Sequence, residues 1–258
     1  MVYDIRLIGV GTGNPEHITL EAQKFIKTSD VVLVPKKTGK GKEYLIDLRL
    51  FILEKLLKKR QALIHQFDMP TRDPNIKNYI DRVEAWHREI AARWLQAIDF
   101  QKEKQGKKNL KISLMIWGDP SLYDSAIRIF ATIKKKIDKF NLTVIPGITA
   151  IQVLTAAHKI TLNSIGGDIL ITTGRRLRED DLSGSQGSLV VMLDDQCSFN
   201  QTSLNDYYIY WGAYLGMENQ ILVAGLVKEV GEEIIHKREF ARSKYGWIMD
   251  TYLLRKTD

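Results

Sequence analysis

Four short apolar segments in the first half most restrict what this chain can become: DIRLIGV (4–10), VVLVP (31–35), LKISLMIW (110–117) and LTVIP (142–146). A run that is apolar at nearly every position cannot turn one face to water, so each needs cover on both sides. Between them lie segments of helical period, 19–28, 44–59, 75–98 and 121–140. Such strands alternating with amphipathic helices predict an α/β fold with a parallel sheet covered on both faces. Thr19 is the expected N-cap of the first helix, and Glu21 sits where the helix dipole favours a carboxylate.

The second half has another texture. DILITT (168–173), SLVVML (188–193), YYIYW (207–211), QILVAGLVKEV (220–230) and GWIMDTYLLR (246–255) read as strands with only short helical stretches between them. That predicts a second α/β domain with a mixed sheet. The boundary is placed at PGITA (146–150), giving domains 1–146 and 147–258. The segment 68–108 reads as an elaboration: a proline-containing loop, a long helix with Trp86 and Trp94, and a lysine-rich linker. The two indoles fall on one helix face and are expected to pack against a neighbour, for which a partner copy would serve.

GVGTGNPEHITL (9–20) joins the first strand to the first helix and resembles a dinucleotide-binding turn. That fingerprint needs G-x-G-x-x-G, with the helix starting directly so that its amides face a pyrophosphate. Here Asn14 stands at the third glycine position, and Pro15 has no N–H to offer. No acidic residue ends the second strand to hold a ribose; Asp30 precedes it, and Pro35, Lys36 and Lys37 close it. Two minor readings stay open: lysines holding a nicotinamide 2′-phosphate, and a plain structural turn.

A net charge of +7 and a pI near 9.3 suggest an anionic partner. The positive charge clusters at 36–42, 102–108, 134–139 and 174–178. The first and last clusters directly follow strands, where a ligand role is strongest; the others read as solvated faces. Nucleic-acid binding would need basic residues interleaved with aromatics on one face. Here the aromatics sit in strands away from the lysine runs, so no nucleic-acid partner is expected. No apolar run approaches the roughly 18 residues that cross a bilayer, so no membrane is expected, and the opening strand shows no signal-peptide pattern. The one cysteine, Cys197, excludes an internal disulfide and fits a reducing cytoplasm; it reads as an unreactive loop thiol. His17, His65, His87, His158 and His236 show no ligand spacing, so no metal site is expected.

Taken in order, GVGTGNPEHIT, VVLVPKK, WGDPSLYDS and VIPGITA resemble the tetrapyrrole (corrin and sirohaem) methyltransferase family, and the likeness spans essentially the whole chain. It implies two α/β domains of the class III S-adenosylmethionine methyltransferase type, a cofactor cleft between them, the N-terminal domain on the substrate side, and a homodimer. NSIGGDILITTGRRL, VVMLDD, YYIYWGAYLG and GWIMDTYLLR look like the branch acting on precorrin-5 in cobalamin biosynthesis. In that branch an acetyl group on carbon 1 leaves as acetate and a methyl group replaces it. The alternative is a methyltransferase of the same fold acting on another corrin carbon, on RNA or on protein. Asn14 departs from the family, where an aspartate is common.

The resemblance places cofactor contacts at Pro35, Gly118, Asp119, Leu122, Thr149, Ala150, Leu193, Ala224 and Trp247. In WGDP, Gly118 would let the backbone approach closely and Pro120 would stiffen the turn. The opening loop, Gly11 included, would face the substrate, its glycines making room for a bulky macrocycle. The carboxylates of that macrocycle would give Lys36, Lys37, Lys40, Arg175 and Arg176 a purpose, since a guanidinium fork engages both oxygens of a carboxylate. Tyr214 is a further candidate contact. Deacetylation needs a base for water and a donor for the oxyanion. Asp119, His17 and Asp194 are the candidates for the base.

Overall fold

Successive side chains of the first strand point to two covered faces, and this alternation organises the N-terminal part of the molecule. The structure, a computed structural model, describes residues 2–36, 43–57, 64–107, 109–135, 140–180 and 187–256. The chain divides into two compact units, Met1–Ile148 and Thr149–Asp258.

The first unit runs β1 (Val2–Gly9), α1 (Leu20–Lys27), β2 (Val31–Lys36), α2 (Glu43–Leu57), β3 (Ile64–Asp68), α3 (Tyr79–Gln105), β4 (Asn109–Ile116), α4 (Ala126–Lys134) and β5 (Phe140–Ile145). Its five-stranded sheet has the order β3-β2-β4-β1-β5, and all its pairings are parallel. Ile5, Leu7, Val31, Leu33, Ile112 and Leu114 meet Trp94 and Ile98 of α3 and Phe130 of α4. Ile8, Val10, Val32, Val34 and Met115 face the other way, onto Ala22 and Ile26 of α1 and Ile52 and Leu53 of α2. Thr19 caps α1 as expected, its hydroxyl accepting the Ala22 amide at 3.1 Å.

The segment 68–108 is no appendage. Its helix α3 covers one face of the sheet beside the short α4, burying Ile90, Trp94, Ala97 and Ile98. Trp94 stacks on Phe130 at 4.9 Å, and the Trp86 indole donates to the Pro70 carbonyl at 2.8 Å. The shared face of the two tryptophans is therefore spent inside the unit. Strand β3 was not legible in the sequence, because an edge strand that exposes alternate residues carries little apolar signal.

The second unit contains α5 (Ala150–His158), β6 (Ile169–Thr173), α6 (Gly174–Glu179), β7 (Ser188–Met192), β8 (Tyr207–Ala213), β9 (Ile221–Leu226), α7 (Val227–Tyr245) and β10 (Asp250–Lys256). Its five-stranded sheet, ordered β6-β7-β10-β8-β9, is mixed. Only β6 and β7 pair parallel among these neighbours. Here the expectation of short helices fails, since α7 has 19 residues. QILVAGLVKEV is a strand to Leu226 and a helix from Val227; an apolar run hides a change of period from 2 to 3.6. Val227, Ile234 and Ala241 of α7 pack with Leu177, Val191, Trp211 and Tyr252. Among the described residues no helix is long and apolar enough to cross a membrane.

Candidate active site

In the first unit β1 leads through α1 to β2, beyond β4, whereas β4 leads through α4 to β5, beyond β1. The connections leave the two neighbouring strands in opposite directions and pass each other on opposite faces of the sheet, α1 on one and α4 on the other. Such a switch point is where open α/β sheets bind ligands. The loops there are 10–19 after β1, 117–125 after β4 and 146–148 after β5.

Those loops are joined through backbone. The Gly11 amide donates to the Gly118 carbonyl at 3.2 Å, and the Gly118 amide to the Gly11 carbonyl at 2.8 Å. Both glycines hold positive φ, 74° and 65°, a region that penalises side chains. A Cβ on Gly9 would stand 2.6 Å from the Gly147 nitrogen, and one on Gly147 would overlap the Gly118 carbonyl oxygen. Gly9 and Gly11 therefore let three loops pack backbone to backbone, which argues against their clearing space for a macrocycle. Gly11 is buried with its amide and carbonyl engaged, which argues against the expected substrate contact there. The dinucleotide reading also loses its geometry, because a 3₁₀ turn at Pro15–His17, capped by Asn14, separates the glycines from α1. Gly118 differs from the others: nothing lies within 4 Å of where its Cβ would be.

Asp119 holds the β4 loop to the β5 loop. Its Oδ2 accepts the Gly147 amide at 2.8 Å and its Oδ1 the Ser121 amide at 2.7 Å, with the Ser121 hydroxyl also donating to Oδ1. Burial works to raise its pKa, but the Ser121 hydroxyl and the Gly147 and Ser121 amides outweigh it and hold the carboxyl below its ordinary value. A carboxylate so stabilised is a weak base. His17 is placed differently. Its Nδ1 is buried without a partner among the described residues, as is the Thr12 hydroxyl, and its Nε2 lies 3.5 Å from Asn14 Nδ2. Leu122 in this loop is half-buried, as is Pro35 near the end of β2, while Lys36 beside it is exposed. Lys37 and Lys40 lie outside the described residues.

The second unit treats its polar groups otherwise. Asp194 is buried and accepts from the Ser198 amide and hydroxyl at 2.6 Å each, the Tyr252 hydroxyl at 2.7 Å and the Gln196 amide at 3.2 Å. Arg178 adds an ion pair at 3.5 Å. With its oxygens engaged, Asp194 is an anchor between β7, α6 and β10, which argues against a base. Tyr214 is fully buried, its ring edge-on to Tyr245 at 5.5 Å, so it packs in the core and not against a ligand. Arg175 and Arg176 are exposed on α6 and pair with Glu179 at 2.9 Å and Asp180 at 2.7 Å. Leu193 and Trp247 are exposed, 65% and 45%, and Ala224 is exposed on β9. Thr149 forms a capping box with Gln152 at the start of α5, where Ala150 is the first helical residue. Cys197 is half-buried; burial pushes its thiol up to about 11, with Arg238 opposing and the nearby carboxylates adding. Among the described residues no cluster of His, Cys, Asp and Glu could hold a metal ion.

Thr12 and Arg49 had no place in the sequence reading. Thr12 lies inside a quoted motif, yet its hydroxyl drew no notice. Arg49 was signalled faintly, as the one arginine in the apolar helix EYLIDLRLFILEKLL.

A parallel unit with a glycine-bridged switch point is followed by a mixed-sheet unit, and the chain is thus α/β in both parts. The sequence profile of the Tetrapyrrole (Corrin/Porphyrin) Methylases matches residues 4–231, and the chain belongs to that family. It is 40% identical over 253 residues to precorrin-6A synthase [deacetylating] of Sinorhizobium sp., covering 98% of this chain and 95% of that one. Among solved structures it is similar to a cobalamin-synthesis-related protein (CobF) of Corynebacterium diphtheriae, at TM-score 0.82 and 34% identity over 100% of both chains. The fold is shared with the cobalt precorrin-4 methyltransferase CbiF, at TM-score 0.64 and 16% identity over 98% of this chain and 94% of that one.

Proposed function

We propose that the chain converts precorrin-5 to precorrin-6A in cobalamin biosynthesis, removing the carbon-1 acetyl group as acetate and methylating that carbon, with S-adenosylmethionine as donor. The observation that carries this reading is the 40% identity, over 98% of the chain, to a relative named for that deacetylating activity. S-adenosylmethionine, when bound, supplies an electrophilic methyl group on a sulfonium sulfur.

The residues that would hold it in the first unit are Pro35, Gly118, Asp119 and Leu122. Gly118 fits, since the open space at its Cβ position leaves the backbone approachable. Thr149, Ala150, Leu193, Ala224 and Trp247 are the contacts the resemblance assigns to the second unit, and Leu193 and Trp247 present free apolar surface there. Lys36, Arg175 and Arg176 are exposed cations suited to substrate carboxylates.

His17 is the base we favour, because Asp119 and Asp194 are engaged while its Nε2 meets the Asn14 side-chain amide only at 3.5 Å. It would take a proton from water as the oxygen adds to the acetyl carbonyl. The carbon–carbon bond then breaks, acetate departs, and the electron pair stays on the macrocycle carbon that is methylated. The enzyme is read as a cytoplasmic homodimer. Exposed Ile165, Ile169, Leu170 and Ile171 on and beside the edge strand β6 support a second copy as partner; light scattering tests it.

Incubation with precorrin-5 and S-adenosylmethionine, followed by mass spectrometry and an acetate assay, tests the reaction. Stoichiometric acetate and one added methyl are expected. Absence of both, with a related enzyme active alongside, overturns the reading.

A further inference from the structure

Arg49 lies on α2 with its guanidinium over the Trp117 ring, Cζ 5.5 Å from the centroid. Trp117 immediately precedes Gly118, so the cation stands beside the loop that bridges to Gly11. A guanidinium has five N–H donors. Here Nη1 donates to the Leu45 carbonyl at 3.1 Å, while Nε is sealed from solvent with no partner among the described residues. No ion pair among the described residues includes Arg49. Asp124 lies near enough to favour the charged form, and its Oδ1 accepts the Ala126 amide at 2.6 Å. Burial pushes the guanidinium down to about 10, with Asp124 opposing.

A guanidinium N–H sealed from water without an acceptor is unfavourable, and proteins satisfy such donors or give them a ligand. The ring beneath fixes the plane of the fork, and the spare donors lie at the carboxyl edge of a parallel sheet, where ligands bind. A planar anion that takes two parallel N–H bonds fits that fork. We propose that Arg49, oriented by Trp117, is a carboxylate-binding residue of the reaction site. This rests on the methyltransferase reading, which offers two sources of the same chemistry: the acid side chains of the tetrapyrrole and the amino acid end of the methyl donor.

The variants Arg49→Met and Arg49→Lys test it, with thermal unfolding first. A buried N–H donor left without an acceptor predicts a Tm for Arg49→Met at or above that of the parent; Arg49→Lys serves if the methionine variant does not fold. Calorimetry then compares S-adenosylhomocysteine with 5′-methylthioadenosine, which lacks the carboxylate. A tenfold or greater loss of affinity for the first alone assigns Arg49 to the donor. Unchanged binding of both, with KM for precorrin-5 raised tenfold or more and kcat within about threefold, assigns it to the macrocycle. Equal losses for both nucleosides, or no change in any constant, overturns the proposal. If the parent enzyme releases no acetate from precorrin-5, the assigned reaction fails, while the calorimetric comparison still judges Arg49.

Discussion

The two units bury polar groups by opposite strategies. In the second, Asp194, Arg178, Ser198 and Tyr252 satisfy one another, and Arg238 joins them through the Asp194 carbonyl at 2.8 Å and the Asp250 carboxylate at 2.9 Å. In the first, loops are held by glycine backbone, and the side-chain atoms buried without a partner among the described residues all belong to it: Thr12 Oγ1, His17 Nδ1, Arg49 Nε and Trp94 Nε1. A saturated network specifies structure, whereas unsatisfied buried groups call for an explanation, and a ligand is one. All but Trp94 lie on or beside the loops at the switch point. The difference separates a unit whose buried polar network satisfies itself from one that leaves buried polar atoms unpaired at and beside its loops, among the described residues.

The contrast breaks most visibly at Gly147. Gly147→Ala should lose about 4 kcal/mol of stability in urea unfolding, because backbone cannot retreat from the new Cβ. Gly118→Ala, with open space but positive φ, should lose only about 1 kcal/mol while weakening S-adenosylhomocysteine binding in calorimetry. Equal losses at the two positions would show that the bridge is not what demands glycine.

Asp194→Ala should come next, at about 3 kcal/mol, since it removes the buried acceptor of the Tyr252 hydroxyl and of the Ser198 amide and hydroxyl. The loss should appear in unfolding, with methyl transfer per folded molecule retained. A stable but inactive variant would restore the base role for Asp194.

Asp119→Asn should cost about 2 kcal/mol near neutral pH. Hydrogen bonds depress the folded pKa of Asp119 below its unfolded value. Its stabilisation is therefore complete above the unfolded carboxyl pKa and disappears as pH falls through the folded one. Parent and variant stabilities should converge in strong acid; a gap that stays constant with pH would separate the loop contacts from the charge. Smallest of all, Cys197→Ser should stay within about 0.5 kcal/mol, and the thiol should react slowly with iodoacetamide at pH 8. Rapid alkylation would contradict a thiol pushed up to about 11.

Much of this was legible in the sequence, for identifiable reasons. Strands buried on both faces announce themselves by composition alone, so β1, β2, β4 and β5 stand close to where VVLVP and its fellows predicted them. Local capping did the same for Thr19. The start of α7 at Val227 was hidden, because an apolar strand running into an apolar helix shows no break in hydrophobicity. Likewise, Trp86 and Trp94 gave the helix face but not its partner, which turned out to be α4 and the sheet.

The sequence by itself determined the class of fold and the motifs around Gly9–Leu20 and Trp117–Ser125, since both follow from local pattern and composition. Only the tertiary structure decided what those residues do. The pairing of Gly11 with Gly118 joins residues far apart in the chain, and whether Asp194 is a base or an anchor depends on Tyr252 and Arg178 arriving from elsewhere. Arg49 is an ordinary helix residue until Trp117 comes to lie beneath it. Hydrogen bonding and desolvation are properties of a neighbourhood, and a linear sequence does not carry its neighbourhoods.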